Sequence, residues 1–307
     1  MIAVVGSSNM DVVLTVERFT LPGETQKATK LEFFPGGKGS NQAMTVAKLS
    51  NIDSEIYFLT CIGNDSYGKI LKEQYDNSNI NGYKIVNDSN GLAFIEVTEK
   101  GENRIIIYSG ANNYLTENLV KEHAGKLLKA DYLLLQNEIP FESTLYSAKL
   151  FFEHGKTVIF DPAPVKGIKK EIFQFIDFLT PNEEEIKLLT EKFFGNFVSY
   201  EDSYNKFKKL GLKKLIVKLG EKGVLYFDEN TTIEIPAFRV QAIDTTAAGD
   251  VFNGAFSVAL HENFDIEFSL NFASAAAALS VTKKGAQSSI PSRSDVEKFL
   301  NINNEYK

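Results

Sequence analysis

Asp244-Thr245-Thr246-Ala247-Ala248-Gly249-Asp250 is the stretch around which the rest of the chain makes sense. Behind it, Val251, Phe252, Ala255, Phe256, Ala259 and Leu260 recur at helical spacing, and ahead of it residues 232–240 read as a strand. Two alanines, a glycine and an aspartate therefore stand at a helix N-terminus. Small side chains let backbone N–H groups come close to an anion, and the helix end adds partial positive charge and unpaired donors. An acid beside such a cradle is a candidate base. The same residues also read as an ordinary N-cap, because Asp begins many helices and small residues fill many turns.

Working outward, residues 2–5 form a β-branched run ending at Gly6, the pattern of a buried parallel strand. Residues 12–18 and 29–34 read as two further strands around a turn at Pro22-Gly23, and a second glycine-to-helix junction follows at Pro35-Gly36-Gly37-Lys38-Gly39-Ser40-Asn41-Gln42. Residues 56–62 predict a strand and 67–75 a helix. Residues 92–98 and 104–109 are joined so tightly by Glu99-Lys100-Gly101-Glu102-Asn103 that they predict a hairpin. With residues 12–34 they predict a small sheet of about four strands, a lid inserted in one folding unit.

From residue 115 onward, predicted helices alternate with strands: helix 116–129, strand 132–136, helix 142–154, strand 157–160, a helix near 169–176, strand 178–180, helix 182–191. Helix 200–210 and strand 215–219 follow, with a turn at Gly220-Glu221-Lys222-Gly223 back into 224–227. Helices 248–261, near 267–282 and near 293–301 complete the pattern. Such alternation predicts an α/β fold with a mostly parallel central sheet and helices on both faces. The chain shows no internal repeat, low-complexity segment or interdomain linker.

The 307 residues, 43% apolar and 24% charged, suit a globular α/β protein, and the net charge of −7 gives no general attraction for nucleic acid or an anionic membrane. One cysteine, Cys61, allows no internal disulfide, and three scattered histidines make no soft-metal cluster. The first strand has no basic segment before it, and no apolar run approaches the roughly 20 residues of a membrane span. A cytoplasmic enzyme or a cytoplasmic binding protein fits these features. With 24 phenylalanines and no tryptophan, Phe151, Phe152, Phe193 and Phe194 read as core or partner surface.

In open α/β sheets, functional groups gather at the C-terminal edges of strands. Asn9 and Asp11, Glu138, Asp161, Asn182 and Glu185, and Asp250 all follow predicted strands. Singly, each reads as a cap or turn residue. Together with two glycine-rich turns, they suit a polyhydroxylated ligand beside a phosphate. Lys38 is followed by Gly39, which breaks the G-x-x-x-x-G-K-[ST] order, and no G-x-G-x-x-G follows the first strand.

The motifs together resemble the ribokinase-like (PfkB) family of sugar kinases. Gly6-Ser7-Ser8-Asn9-Met10-Asp11 is similar to the family's G-S-x-N-x-D, residues 36–43 to its first signature, and residues 244–255 to its second. Thr180-Pro181-Asn182-Glu183, Leu219 through Gly223, Lys284-Gly285-Ala286-Gln287 and Ser289-Ile290-Pro291 fall in the expected order, so the resemblance spans essentially the whole chain. It implies an ATP-dependent kinase converting D-ribose to D-ribose 5-phosphate, with magnesium required and potassium activating.

By position, the resemblance implies Asp250 as catalytic base and the N–H groups of Ala247, Ala248 and Gly249 as an anion hole for the transferring phosphoryl group. An exposed aspartate is a weak base, but it needs only to accept the proton late in the transition state. Sugar recognition would fall to Asn9, Asp11, Gly37, Lys38, Asn41 and Glu138. ATP would meet Asn182, Lys218, Gly220, Glu221, Lys222, Gly223, Gly249 and Ser274, and Glu185 would position magnesium through water. Asp244, Thr246, Ser280, Lys283, Gly285 and Ser289 would hold potassium, several through backbone carbonyls.

Two departures bear on the nucleotide: Lys218 and Ser274 replace a threonine and a histidine found in a well-studied bacterial pattern of the family. The resemblance also implies a homodimer formed through the lid sheets. The alternatives are a kinase of the same family acting on fructose, deoxyribose or a nucleoside, and a non-catalytic sugar-binding regulator. An intact Asp250 with its glycines argues against the regulator.

Overall fold

The computed structural model describes residues 1–50 and 56–305. Its framework starts at β1 (Ile2–Val5), whose four residues are all buried. β2 (Asn9–Val16) and β3 (Lys30–Gly36) follow, then α1 (Lys38–Leu49), β4 (Ile56–Gly63), α2 (Ser66–Asn77), β5 (Asn81–Val86), β6 (Gly91–Thr98) and β7 (Asn103–Tyr108). The regular alternation then runs through α3 (Glu117–Leu127), β8 (Tyr132–Leu135), α4 (Phe141–Glu153), β9 (Thr157–Phe160), β10 (Phe178–Leu179), α5 (Glu183–Phe194), α6 (Tyr200–Lys208) and β11 (Lys214–Lys218). β12 (Val224–Phe227), β13 (Thr232–Ile235), α7 (Ala248–His261), α8 (Ile266–Ser280) and α9 (Arg293–Glu305) complete the chain.

Among the described residues the strands form two sheets. The larger has the order β13-β12-β11-β10-β9-β8-β1-β4-β5, parallel except where β12 pairs antiparallel with both β11 and β13. Side chains alternate across β1 because a strand's period is two. Ile2 and Val4 join the core under α1, α7 and α8, while Ala3 and Val5 join the core under α3 and α4. Strand order reverses at β1, which lies between β4 and β8. That reversal opens a crevice at the carboxyl ends of the strands. The smaller sheet has the order β3-β2-β6-β7.

Four expectations change. Asn9 and Asp11 are not in a loop after β1, because β2 begins at Asn9 and pairs with Gly36 and Gly91 at once. The strand expected over 232–240 stops at Ile235, where Pro236 has no N–H to continue the ladder. The helix near 169–176 is a short 3-10 turn, Lys170–Phe175. β5 went unread: it is a half-exposed edge strand opened by Asn81-Gly82, a pair that signals a turn. No helix among the described residues is long and apolar enough to cross a membrane.

Candidate active site

The loop 244–247 enters α7 through Ala247, whose φ of +60° is left-handed for a residue with a side chain. Such a conformation costs of order 1–3 kcal/mol and persists only where its surroundings impose it. No side chain caps α7. The N–H of Ala248 turns back to the Thr245 carbonyl at 3.3 Å, whereas no described residue accepts the N–H of Ala247 or Gly249. The helix start thus directs backbone donors and partial positive charge to one place.

Asp250 lies in the first turn of α7 and is only 4% exposed, which corrects the picture of an open carboxylate. Asn41 Nδ2 donates to its Oδ2 at 3.0 Å and Gln42 Nε2 to its Oδ1 at 3.1 Å. Burial pushes its pKa up and Asp161 adds to this, while Lys38 and the two amide donors oppose it. Asn41 and Gln42 reach Asp250 because α1 packs closely on α7. A side chain at Gly254 would come within 2.6 Å of Thr45 Cβ.

The residues that the resemblance assigns to a sugar converge from β2, the turn into α1 and the end of β8. Glu138 Oε2 accepts from Ser7 Oγ at 2.6 Å and from the Lys38 N–H at 3.0 Å. Asn9 Oδ1 accepts from Asn112 Nδ2 at 2.8 Å. Gly37, at φ +89°, admits no side chain because a Cβ would lie 2.7 Å from the Asn9 nitrogen. Asp11 is buried, and desolvation, then the charges of Glu138 and Asp250, lift its carboxyl to about 7. Burial opposes the charge on Lys38, but Asp250, Asp161, Glu138 and Glu185 together outweigh it and hold the ammonium above the ordinary lysine range.

On the opposite side, Lys218 at the end of β11 reaches Asp161 Oδ2 at 3.3 Å, and Asn253 Nδ2 donates to the same oxygen at 2.9 Å. Asn182 and Glu185 close a capping box on α5, each side chain accepting the other's backbone N–H at 2.8 Å. Burial, then the charge of Asp161, raises Glu185, against the pull of Lys218. Gly220, Glu221 and Lys222 form a 3-10 turn between β11 and β12, closed by Gly223 at φ +103°. Ser274 in α8 is buried, and its Oγ has no partner among the described residues.

Asp244 ties two segments together: its Oδ1 accepts from the Thr246 N–H and its Oδ2 from the Gly285 N–H, both at 2.9 Å. Burial works against its charge, but these donors prevail and hold its carboxyl below the usual range. Ser280 and Ser289 spend their hydroxyl protons on the Ala277 and Ala286 carbonyls. Among the described residues no group of three or more His, Cys, Asp or Glu could hold a metal.

Sequence reading named Asp161 only as one of the strand-end residues and gave Gln42, Gln136 and Gln287 no role of their own. Asp161 did stand at a strand end, and Gln42 and Gln287 stood inside quoted motifs, which are signals; their partners across the fold were not legible.

The pfkB family carbohydrate kinase model matches residues 1–293. The chain is 39% identical to the ribokinase of Haemophilus influenzae, over 97% of this chain and 98% of that one. Its fold matches the ribokinase of Thermotoga maritima with a TM-score of 0.93 at 55% identity, over 98% and 99% of the two chains. It matches the Arabidopsis thaliana ribokinase complexed with ribose and ATP with a TM-score of 0.87 at 36% identity, over 97% and 98%. With its helix-start loop, its buried aspartate and these similarities running the length of the sequence, the chain belongs to the pfkB family of carbohydrate kinases.

Proposed function

We propose that this protein transfers the γ-phosphoryl group of ATP to the 5-hydroxyl of D-ribose, giving D-ribose 5-phosphate and ADP. The observation that carries the reading is Asp250: a buried carboxylate in the first turn of α7, hydrogen-bonded to Asn41 from the sugar side and next to the open N–H groups of Ala247 and Gly249. The names of the relatives at 36–55% identity support ribose and ATP as substrates.

In this reading Asp250 takes the hydroxyl proton as the sugar oxygen bonds to the γ-phosphorus and the bond to the ADP oxygen breaks. Phosphoryl transfer demands positioning and charge stabilisation above all. Asn9, Asp11, Gly37, Lys38, Asn41 and Glu138 hold the sugar. The N–H groups at Ala247, Ala248 and Gly249 face the transferring group, and Ala248 contributes once its hydrogen bond to Thr245 opens. Lys218 and the turn 220–223 take the nucleotide phosphates, with Asn182 beside them and Ser274 nearer the base.

Magnesium, when bound, neutralises phosphate charge; Glu185, close to Asp161, offers the hard oxygen it prefers. Potassium would sit among Asp244, Thr246, Ser280, Lys283, Gly285 and Ser289 and stiffen the loop that Asp244 already ties to Gly285. The small sheet acts as a lid carrying Asp11 over the sugar, excluding water. Its opposite face supports a homodimer: Phe33, Val12, Phe94 and Ile106 lie in one cross-strand row, with Phe94 40% and Ile106 70% exposed.

A coupled ADP-release assay over pentoses, hexoses and nucleosides, with and without potassium, tests the reading. Ribose should give the highest kcat/KM, and potassium should raise kcat. A preference for deoxyribose, fructose or a nucleoside would overturn the substrate, and no turnover of any sugar would overturn the reaction.

A further inference from the structure

Asp250 is held by two converging lines of side-chain amides. Gln136 Nε2, just past β8, donates to Gln42 Oε1 at 2.6 Å, and Gln42 Nε2 donates to Asp250 Oδ1 at 3.1 Å. On the other side, Gln74 Nε2 donates to Gln287 Oε1 at 2.6 Å, Gln287 Nε2 to Asn41 Oδ1 at 3.1 Å, and Asn41 Nδ2 to Asp250 Oδ2 at 3.0 Å. Gln287 Nε2 also donates to Ser40 Oγ at 2.8 Å, which fixes its plane.

The direction of every bond follows from the carboxylate. An ionised Asp250 only accepts, so Asn41 and Gln42 must turn their NH2 groups toward it. Their carbonyl oxygens then point outward and require donors, which Gln287 and Gln136 supply. The polarity runs to the ends of both lines, where one oxygen is left over. Gln136 Oε1 and Gln74 Oε1 are both buried without a hydrogen-bond partner among the described residues. A buried carbonyl left unpaired is unfavourable for stability, so neither glutamine is explained by stability alone. Gly6 supports the first of them, since a side chain there would run into Gln136 Oε1.

We infer that Gln136 and Gln287 are positioning residues for Asp250, each locking the amide in front of it donor-first so that the carboxylate stays ionised and fixed in orientation. Neither touches Asp250 directly: Gln136 acts through Gln42, and Gln287 acts through Asn41, itself one of the proposed sugar residues. Each amide donor bonds more strongly to a carboxylate oxygen than to that of a carboxylic acid, so the lines favour the ionised form. The lines also satisfy one lone pair on each oxygen and leave the others for the incoming hydroxyl. The inference rests on Asp250 being the base of the proposed reaction, but its structural core can be measured without turnover.

The test uses Gln136→Met and Gln287→Met, one for each line, so that failure of one variant to fold leaves the other. With 13C-labelled aspartate and the Asp250 signal assigned by its loss in Asp250→Asn, the carboxyl should titrate about one pH unit higher in each variant than in the wild type. The other charges facing Asp250, those of Lys38, Asp161 and Asp11, are the same in all three proteins. In turnover, kcat at pH 7 should fall about tenfold and the acid limb of its pH profile should move upward, with the sugar KM changing less than about threefold. Melting temperature should change little in Gln136→Met, because the unpaired Gln136 Oε1 is removed while Gln42 Oε1 loses its donor. Gln136→Glu should be slower than Gln136→Met, since an ionised carboxylate at that position draws the Gln42 NH2 group away from Asp250.

An Asp250 titration unmoved in both variants would overturn the inference, as would a loss confined to melting temperature. If the wild type phosphorylated no sugar, the proposed reaction would fail while the titration still decided the inference.

Discussion

Lys218 Nζ stands 3.3 Å from Asp161 Oδ2, directly over the start of α7, where a side chain at Gly249 would come within 3.1 Å of the ammonium. Asp161 is 2% exposed and Lys218 side-chain exposure is 13%, so little water screens the pair. Lys218→Met leaves the charge of Asp161 buried without its cation, held by the neutral donors Asn253 Nδ2 on Oδ2 and the Ala163 N–H on Oδ1. Removing one partner of a buried pair costs about 3 kcal/mol or more. Denaturant unfolding should register that loss. Steady-state kinetics should show KM for ATP rising more than KM for the sugar, because the proposed reaction places the lysine against the nucleotide phosphates. Equal changes in both KM values would contradict a phosphate-facing role.

Asp250→Asn keeps the shape of the proposed base and removes its charge. It also places an amide against the NH2 groups of Asn41 and Gln42, so one donor meets a donor. The expected outcome is a fall in kcat of several orders of magnitude with sugar affinity, measured by calorimetry, changed only modestly. A variant that turns over within about tenfold of wild type would remove Asp250 from the proton-transfer step.

Asp11 gives a stability signature with a definite sign. In the unfolded chain it titrates at the ordinary 3.8, while in the fold burial and then Glu138 and Asp250 raise it to about 7. A raised carboxyl favours the folded state below pH 3.8 and loses that contribution as pH climbs to about 7. Each pH unit in that window removes up to about 1.4 kcal/mol for one such group. Asp11→Asn should therefore flatten the pH dependence of stability between about 4 and 7 relative to wild type. Parallel curves for the two proteins would show that Asp11 is not held protonated.

What could be read from the chain was local. The helix at 248–261 followed from the spacing of Val251, Phe252, Ala255 and Phe256, and the β11–β12 turn from Gly220 and Gly223. Two glycine-rich junctions pointed to the site because small residues between a strand and a helix carry a recognisable composition. The pairings inside the site left no such trace. Gln136 meets Gln42 across 94 positions and Asn253 meets Asp161 across 92, and no periodicity encodes contacts that only the closed sheet creates. Asp250 looked exposed for the same reason: it is α1, more than 200 residues earlier, that buries it. β5 was missed because its exposed edge breaks the alternation that marks half-buried strands.

The proposed dimerisation through the small sheet can be tested at that sheet's most exposed apolar residue. Ile106 is 70% exposed in the row shared with Phe94, Val12 and Phe33. Ile106→Glu should shift the mass measured by sedimentation equilibrium from dimer to monomer at micromolar concentration, because a charge buried between two apolar faces is unfavourable. A wild type that is monomeric throughout that range would refute the dimer outright.

Ala247 separates stability from turnover. Its φ of +60° is strained for a residue with a Cβ, and glycine adopts that angle freely. Relief of this strain competes with the greater freedom glycine gives the unfolded chain, so Ala247→Gly should change stability by no more than about 1 kcal/mol, in the stabilising direction if strain dominates. Turnover should respond differently. In the proposed reaction the Ala247 and Gly249 N–H groups serve phosphoryl transfer only if held in place beforehand, and a second glycine in the loop lets them wander. A fall in kcat of about tenfold at unchanged or higher melting temperature is the expected pair of results. Unchanged kcat would mean that the left-handed turn is a packing detail and that donor position at the head of α7 does not limit the chemistry.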